Sequence, residues 1–224
     1  MDWQPFYISF KLALVATFFL VLLALPVAYA LAFRNFRCKP LAEAFFALPI
    51  VLPPTVLGFF VLVAAGNLSP VGRWYNEVFG TTLAFSFEGL VVASVLYSFP
   101  FAVQPMQNAF ENVDKNLIEA ARTLGCSEWR NFLSVILPAG RRGVVTGAML
   151  SFAHTVGEFG VVLMVGGSIP GETKVASIAI YEKVETVQYR EAAIMAASLL
   201  AFSFAALSFV YYINKKTSVA VVGR

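Results

Sequence analysis

Glu158 is an acid in an otherwise uncharged run, FAHTVGEFGVVLMV. A carboxylate inside a membrane span is costly unless it is partnered, so it marks a functional candidate. His154, the one histidine of the chain, stands four residues earlier. On a helix the two share a face, which predicts a direct His154–Glu158 hydrogen bond. An ionised Glu158 would repel an anion and is a poor ligand for one. It reads either as a gate or as polar glue between helices. Thr17, Thr55, Ser94, Ser98, Gln104, Ser151 and Thr155 are candidates to line a pathway, or to bond their own helix backbone. With a single histidine and no ligand cluster, no metal site is expected. Cys38 and Cys126 are far apart in sequence and read as free thiols.

The elements that must position these groups follow from composition. The 224 residues are 59% hydrophobic and 13% charged, with a mean hydropathy of +0.76. A soluble domain carries about 25% charged residues, so too little polar surface remains to coat a globule. Disorder, coiled coil and nucleic-acid binding are excluded on the same ground. A membrane helix needs about 20 apolar residues. Such stretches fall at about 12–33, 41–65, 89–110, 144–165 and 192–213, predicting an all-α integral membrane protein of about five helices. The runs are apolar all round, unlike barrel strands. Pro49, Pro53 and Pro54 sit within the second and predict a kink or local unwinding. Arg34, Arg37 and Lys39 lie in the first connection. Lys115, Arg122, Arg130, Arg141 and Arg142 lie in the third, and Lys215, Lys216 and Arg224 in the tail. The basic side should be cytoplasmic, which puts the N-terminus outside and the C-terminus inside. The N-terminal stretch lacks signal-peptide features and is expected to be retained.

The third connection, 111–138, is long and partly apolar. Leu117, Ala120, Ala121 and Leu124 recur at helical spacing, and Gly125 stops that helix. Ser127 would cap a second helix presenting Trp129, Phe132, Leu133 and Ile136, interrupted at Pro138. An amphipathic segment here fits a lipid interface or a groove on a soluble partner; periodicity leaves both open.

Glu119-Ala120-Ala121, then Gly125, then Val135-Ile136-Leu137-Pro138 resembles the EAA motif of binding-protein-dependent ABC importer permeases. The family has Ile where this chain has Val135. The resemblance implies a type I importer permease fold whose coupling helix docks on an ATP-binding subunit. Glu119 would supply a polar contact, Ala120 and Ala121 a close approach, and Gly125 the turn. Arg122, Leu137 and Pro138 belong to the same segment.

Gly157-Glu158-Phe159-Gly160, Ile169-Pro170-Gly171-Glu172-Thr173 and Leu48–Phe59 are similar to molybdate permeases, with sulfate and thiosulfate permeases as the nearest alternative. The resemblance implies passage of molybdate, and tungstate with it. His154, Glu158, Thr155 and Ser151 are the gate or pathway candidates read from the residues themselves, and the resemblance places residues 169–173 at the outer gate and binding-protein docking face. It further implies a homodimer with two ATP-binding subunits and a periplasmic or extracellular molybdate-binding protein, in a bacterial or archaeal cytoplasmic membrane. ATP and Mg would be held by the partner subunit. The chain has no GxxxxGK[ST] loop, so it is expected to be non-catalytic and to hold no cofactor. An ion-coupled secondary transporter with Glu158 as proton site is the rival from another class. The absence of an inverted repeat argues against it.

Overall fold

The computed structural model describes residues 2–222, and every regular element among them is helical. Arg224, counted above toward the basic tail, lies outside the described residues. The order is α1 (Gln4–Phe33), α2 (Lys39–Val51), α3 (Pro54–Ala65), α4 (Pro70–Phe79), α5 (Phe87–Glu111), α6 (Lys115–Thr123) and α7 (Glu128–Asn131). A π-helical turn (Phe132–Ile136) then leads into α8 (Leu137–Val156), α9 (Gly160–Gly166), α10 (Ala176–Glu185) and α11 (Tyr189–Val222). Three helices, α1, α5 and the 189–209 part of α11, are each long and apolar enough to cross a membrane; with two bent pairs counted as one span each, there are five.

Both bends have local causes. At the first, α2 and α3 meet at 107°. Leu52 precedes Pro53 and Pro53 precedes Pro54, and a residue before proline is driven out of the helical region. Both adopt extended backbone, with ψ of 137° and 134°. Pro49 lies inside α2 without ending it, so the break belongs to the Pro53-Pro54 pair alone. At the second, α8 and α9 meet at 64° across Gly157, Glu158 and Phe159. The expected fourth span of 144–165 is therefore not one helix. It starts earlier, at Leu137, which also takes Arg141 and Arg142 out of the connection and into the helix.

Pro138 does not interrupt the chain as expected. Helix runs without a break from Glu128 to Val156. The π-helical turn just before Pro138 widens the hydrogen-bond ladder, with the Leu137 N–H donating to the Phe132 carbonyl. That spacing makes room for a ring that would otherwise clash one turn back.

The centre of the bundle is α1, α5 and α8. In α1, Leu12, Ala16, Leu20, Ala24 and Ala28 form one fully buried stripe, every fourth residue. In α8, Gly140, Gly143 and Gly147 face Phe110, Ala109, the Pro105 carbonyl and the Ala102 carbonyl of α5. The missing side chains let the two backbones touch, the small-residue packing typical of membrane helices. The two bends also grip each other. Gly58 of α3 lies against Met164, and Gly160 of α9 against Pro54.

Candidate functional site

Two groups of residues stand out, one at the α8–α9 bend and one at the α6–α7 turn. At the bend, α8 ends at Val156, so the Glu158 side chain leaves from non-helical backbone and turns into the protein. Its side chain is fully buried. Ser94 Oγ donates to one carboxylate oxygen at 2.6 Å and Ser98 Oγ to the other at 2.6 Å. Ser177, on α10, donates to the Glu158 carbonyl. One residue thus ties the bend to α5 and α10. Two hydroxyl donors satisfy a buried carboxylate far better than an apolar wall.

The expected direct His154–Glu158 hydrogen bond is absent. His154 Nδ1 is 3.6 Å from the carboxylate, because the helix that would have aligned the pair ends between them. Ser98 bridges instead, with its Oγ 2.9 Å from His154 Nδ1 and 3.0 Å from Thr155 Oγ1. The imidazole stacks on Phe101 at 4.0 Å and lies against Tyr97 at 4.9 Å.

Beside this cluster is a cavity of 600 Å³ lined by Thr55, Tyr97, His154, Gly157 and Gly160 among others. Of the hydroxyls proposed to line a pathway, Thr55 does line it. Ser94 and Ser98 are fully buried and hold Glu158 instead. Ser151 is buried and donates to the Gly147 carbonyl at 2.7 Å, so it bonds its own helix. Thr155 is buried within the cluster. Gln104 lines a separate cavity with Glu43 and Gln107.

At the turn, Asp114 caps α6 by accepting from the Asn116 N–H. Gly125 adopts the left-handed region, φ +80°. Its N–H donates to the Arg122 carbonyl at 2.9 Å, and the Cys126 N–H to the Ala121 carbonyl at 3.1 Å. These paired bonds are a Schellman C-cap, which glycine fits without strain. Ser127 then caps α7, accepting from the Arg130 N–H at 3.3 Å. The apolar residues of α6 divide between two faces. Ile118 and Ala121 are buried against the body, while Leu117, Ala120 and Leu124 are exposed beside Glu119 and Arg122. Ala121 therefore does not offer the outward close approach expected of it; Ala120 does. Leu137 is half-buried, while Pro138 is exposed at the start of α8. Asn131, which sequence reasoning passed over, is buried and donates to the Ile118 carbonyl at 3.2 Å, clamping α6 to α7.

In the outer loop, Thr173 is fully buried. Its hydroxyl donates to the Gly166 carbonyl at 2.6 Å and accepts from the Ile169 N–H at 3.1 Å, so it shapes the loop and is no docking surface. Ile169, Pro170, Gly171 and Glu172 face outward. Lys174 pairs with Glu182 at 2.6 Å and Lys183 with Glu191 at 2.5 Å. Burial pushes the Glu182 carboxyl up, but hydrogen bonds from Lys174 and Ser168 and the charges of Lys174 and Lys183 outweigh it and hold it below its usual range.

An all-helical membrane bundle with two broken spans and an ordered turn between amphipathic helices is the architecture of a transporter's membrane subunit. The chain belongs to the family described as binding-protein-dependent transport system inner membrane component, which it matches over residues 11–219. It is 46% identical over 210 residues to the molybdenum transport system permease protein ModB of Azotobacter vinelandii, covering 94% of this chain and 93% of that one. It is 37% identical over 185 residues to the ModB of Escherichia coli K12, covering 83% and 81%. Against the probable sulfate transport system permease protein cysT of Marchantia polymorpha it is 32% identical, covering 93% and 73%. Among solved structures, the inward-facing MetNI methionine ABC transporter shares the fold, with a TM-score of 0.67 at 18% identity over 94% of both chains.

Proposed function

We propose that this chain is the membrane-spanning permease of an ATP-driven importer that carries molybdate, and tungstate with it, across the cytoplasmic membrane. The observation that carries the reading is the 46% identity, over nearly the whole of both chains, to a molybdenum permease. In this reading two copies pair around a two-fold axis, two ATP-binding subunits dock on the α6–α7 turns, and an external binding protein delivers the anion. The basic connections face the cytoplasm. Leu117, Ala120 and Leu124, exposed beside Glu119, are the contact with the ATP-binding subunit. Glu158 acts as a pin at the α8–α9 bend. Its bonds to Ser94 and Ser98 hold the bend on α5 in one arrangement, and their exchange accompanies opening of the gate.

The test is uptake into proteoliposomes holding this chain, its ATP-binding subunit and the binding protein. ATP-dependent molybdate uptake that sulfate does not compete away is expected. ATP-dependent sulfate uptake in its place would keep the mechanism and overturn the substrate. Uptake without ATP, driven by a proton gradient, would overturn both.

A further inference from the structure

The cavity at the α8–α9 bend has a single basic side chain among its lining residues, His154. Its protonation is constrained by counting hydrogens. Ser98 has one hydroxyl proton and three polar neighbours: Glu158 at 2.6 Å, His154 Nδ1 at 2.9 Å and Thr155 at 3.0 Å. Glu158, as a carboxylate, can only accept, so the short contact takes the Ser98 proton. His154 Nδ1 must then donate to Ser98. The string Glu158–Ser98–His154 therefore fixes Nδ1–H on the imidazole, and the stack on Phe101 fixes the ring plane. Only Nε2 is left for another partner.

A tetrahedral oxyanion presents acceptors alone. With Nδ1 already committed, His154 can meet such an anion only if Nε2 also carries a proton, that is, as an imidazolium. Glu158 is placed to balance that charge. Its carboxylate lies 3.6 Å from Nδ1 and is buried behind two serines. The pair is then neutral overall, but its partly exposed member is the imidazolium and its fully buried member the carboxylate. Glu158 and Tyr97 are the titratable groups that face the imidazole. The N-terminal end of α3, at Pro54 and Thr55, opens on the same cavity, and its dipole adds in the same sense.

Resting on the permease reading, we infer that His154 is the specificity-determining contact for the oxyanion in the pathway, with Ser98 and Glu158 as its positioning residues. The proton on Nε2 is taken up from water on the side where the anion enters and released to water on the side where it leaves, so one proton accompanies each anion. The hydroxyls around Glu158 orient the imidazole and do not touch the anion.

The test uses the assembled complex in proteoliposomes and reads molybdate taken up per ATP hydrolysed, from about pH 6 to about pH 8.5, across the range where histidine titrates. The wild-type ratio should fall as pH rises. His154→Gln should lower the ratio at least tenfold at pH 6 and flatten the profile, and His154→Phe, which keeps the stack on Phe101, should do the same. Ser98→Ala should shift the profile without abolishing it. A wild-type ratio independent of pH overturns the inference whether or not the variants assemble, as does a His154→Gln complex with the wild-type ratio and profile. If the wild-type complex drives ATP-dependent uptake of sulfate rather than molybdate, the substrate reading fails and the same pH series with sulfate still decides the role of His154.

Discussion

Gly143→Ala adds one methyl group, at the tightest point between α5 and α8. A Cβ there would stand 2.2 Å from the Ala109 Cβ and 2.5 Å from the Pro105 carbonyl oxygen. Carbon atoms rest at about 3.5–4.0 Å, so α8 must retreat from α5 by about 1 Å or more. Neither obstacle is the end of a flexible chain that could swing aside. Overpacking of this kind costs about 1–3 kcal/mol, and rigid surroundings put Gly143 at the upper end. For a chain of this length each kcal/mol moves Tm by about 2–4 °C, so a fall of about 6–12 °C is expected. The same retreat would carry the 2.9 Å Ser98–His154 contact beyond hydrogen-bond range. Gly80→Ala is the internal comparison. Gly80 has φ +70° with nothing within 4 Å of an added Cβ, so its cost is the left-handed backbone alone, about 1 kcal/mol. Thermal unfolding of the purified protein in detergent, followed by tryptophan fluorescence, reads both. An unchanged Tm for Gly143→Ala, or one higher than that of Gly80→Ala, would refute the close-approach argument.

Glu119→Lys should abolish co-purification of the ATP-binding subunit while leaving Tm unchanged, since Glu119 is exposed; retained association and uptake would remove the coupling role. Glu158→Ala should lower Tm, because two buried serine hydroxyls lose their acceptor at about 1–3 kcal/mol each. Glu158→Gln should keep most of the fold but raise ATP hydrolysis or anion leak without the binding protein, and a tight, quiescent Glu158→Gln complex would count against the pin. The depressed Glu182 carboxyl contributes stability above its unfolded value of about 4.3, lost as pH falls through its lower folded value. Hydrogen exchange in α10, corrected for intrinsic rate, should therefore accelerate below about pH 4, and Lys174→Ala should weaken that response.

Much of the fold was legible because its signals are local. Apolar runs announced an all-helical membrane bundle, the prolines of the second run, Pro49 with Pro53 and Pro54, announced the first bend, and Gly125 followed by Ser127 announced the turn between α6 and α7. The bend at Gly157–Phe159 was not legible, since no proline marks it. What holds it is Glu158 reaching Ser94 and Ser98, more than fifty residues away in sequence. For the same reason His154 and Glu158 looked like helical neighbours when a serine from α5 stands between them. Pro138 misled in the opposite direction, since a π-helical turn absorbs it. The Gly140, Gly143 and Gly147 spacing was present to be read, but only α5 across the interface gives it meaning.

The uninterrupted helix from Glu128 to Val156 carries the α6–α7 turn at one end and the Glu158 bend at the other. At 1.5 Å per residue it is about 43 Å long. A rod of that length, tilted by about 5° at its base, sweeps its far end through almost 4 Å, well over one water diameter of about 2.8 Å and more than any hydrogen bond at the bend can stretch. The chain thus needs no relay of small rearrangements between its two ends. In the permease reading proposed above, that leverage would turn a modest displacement at the α6–α7 turn into the making or breaking of the Glu158 contacts.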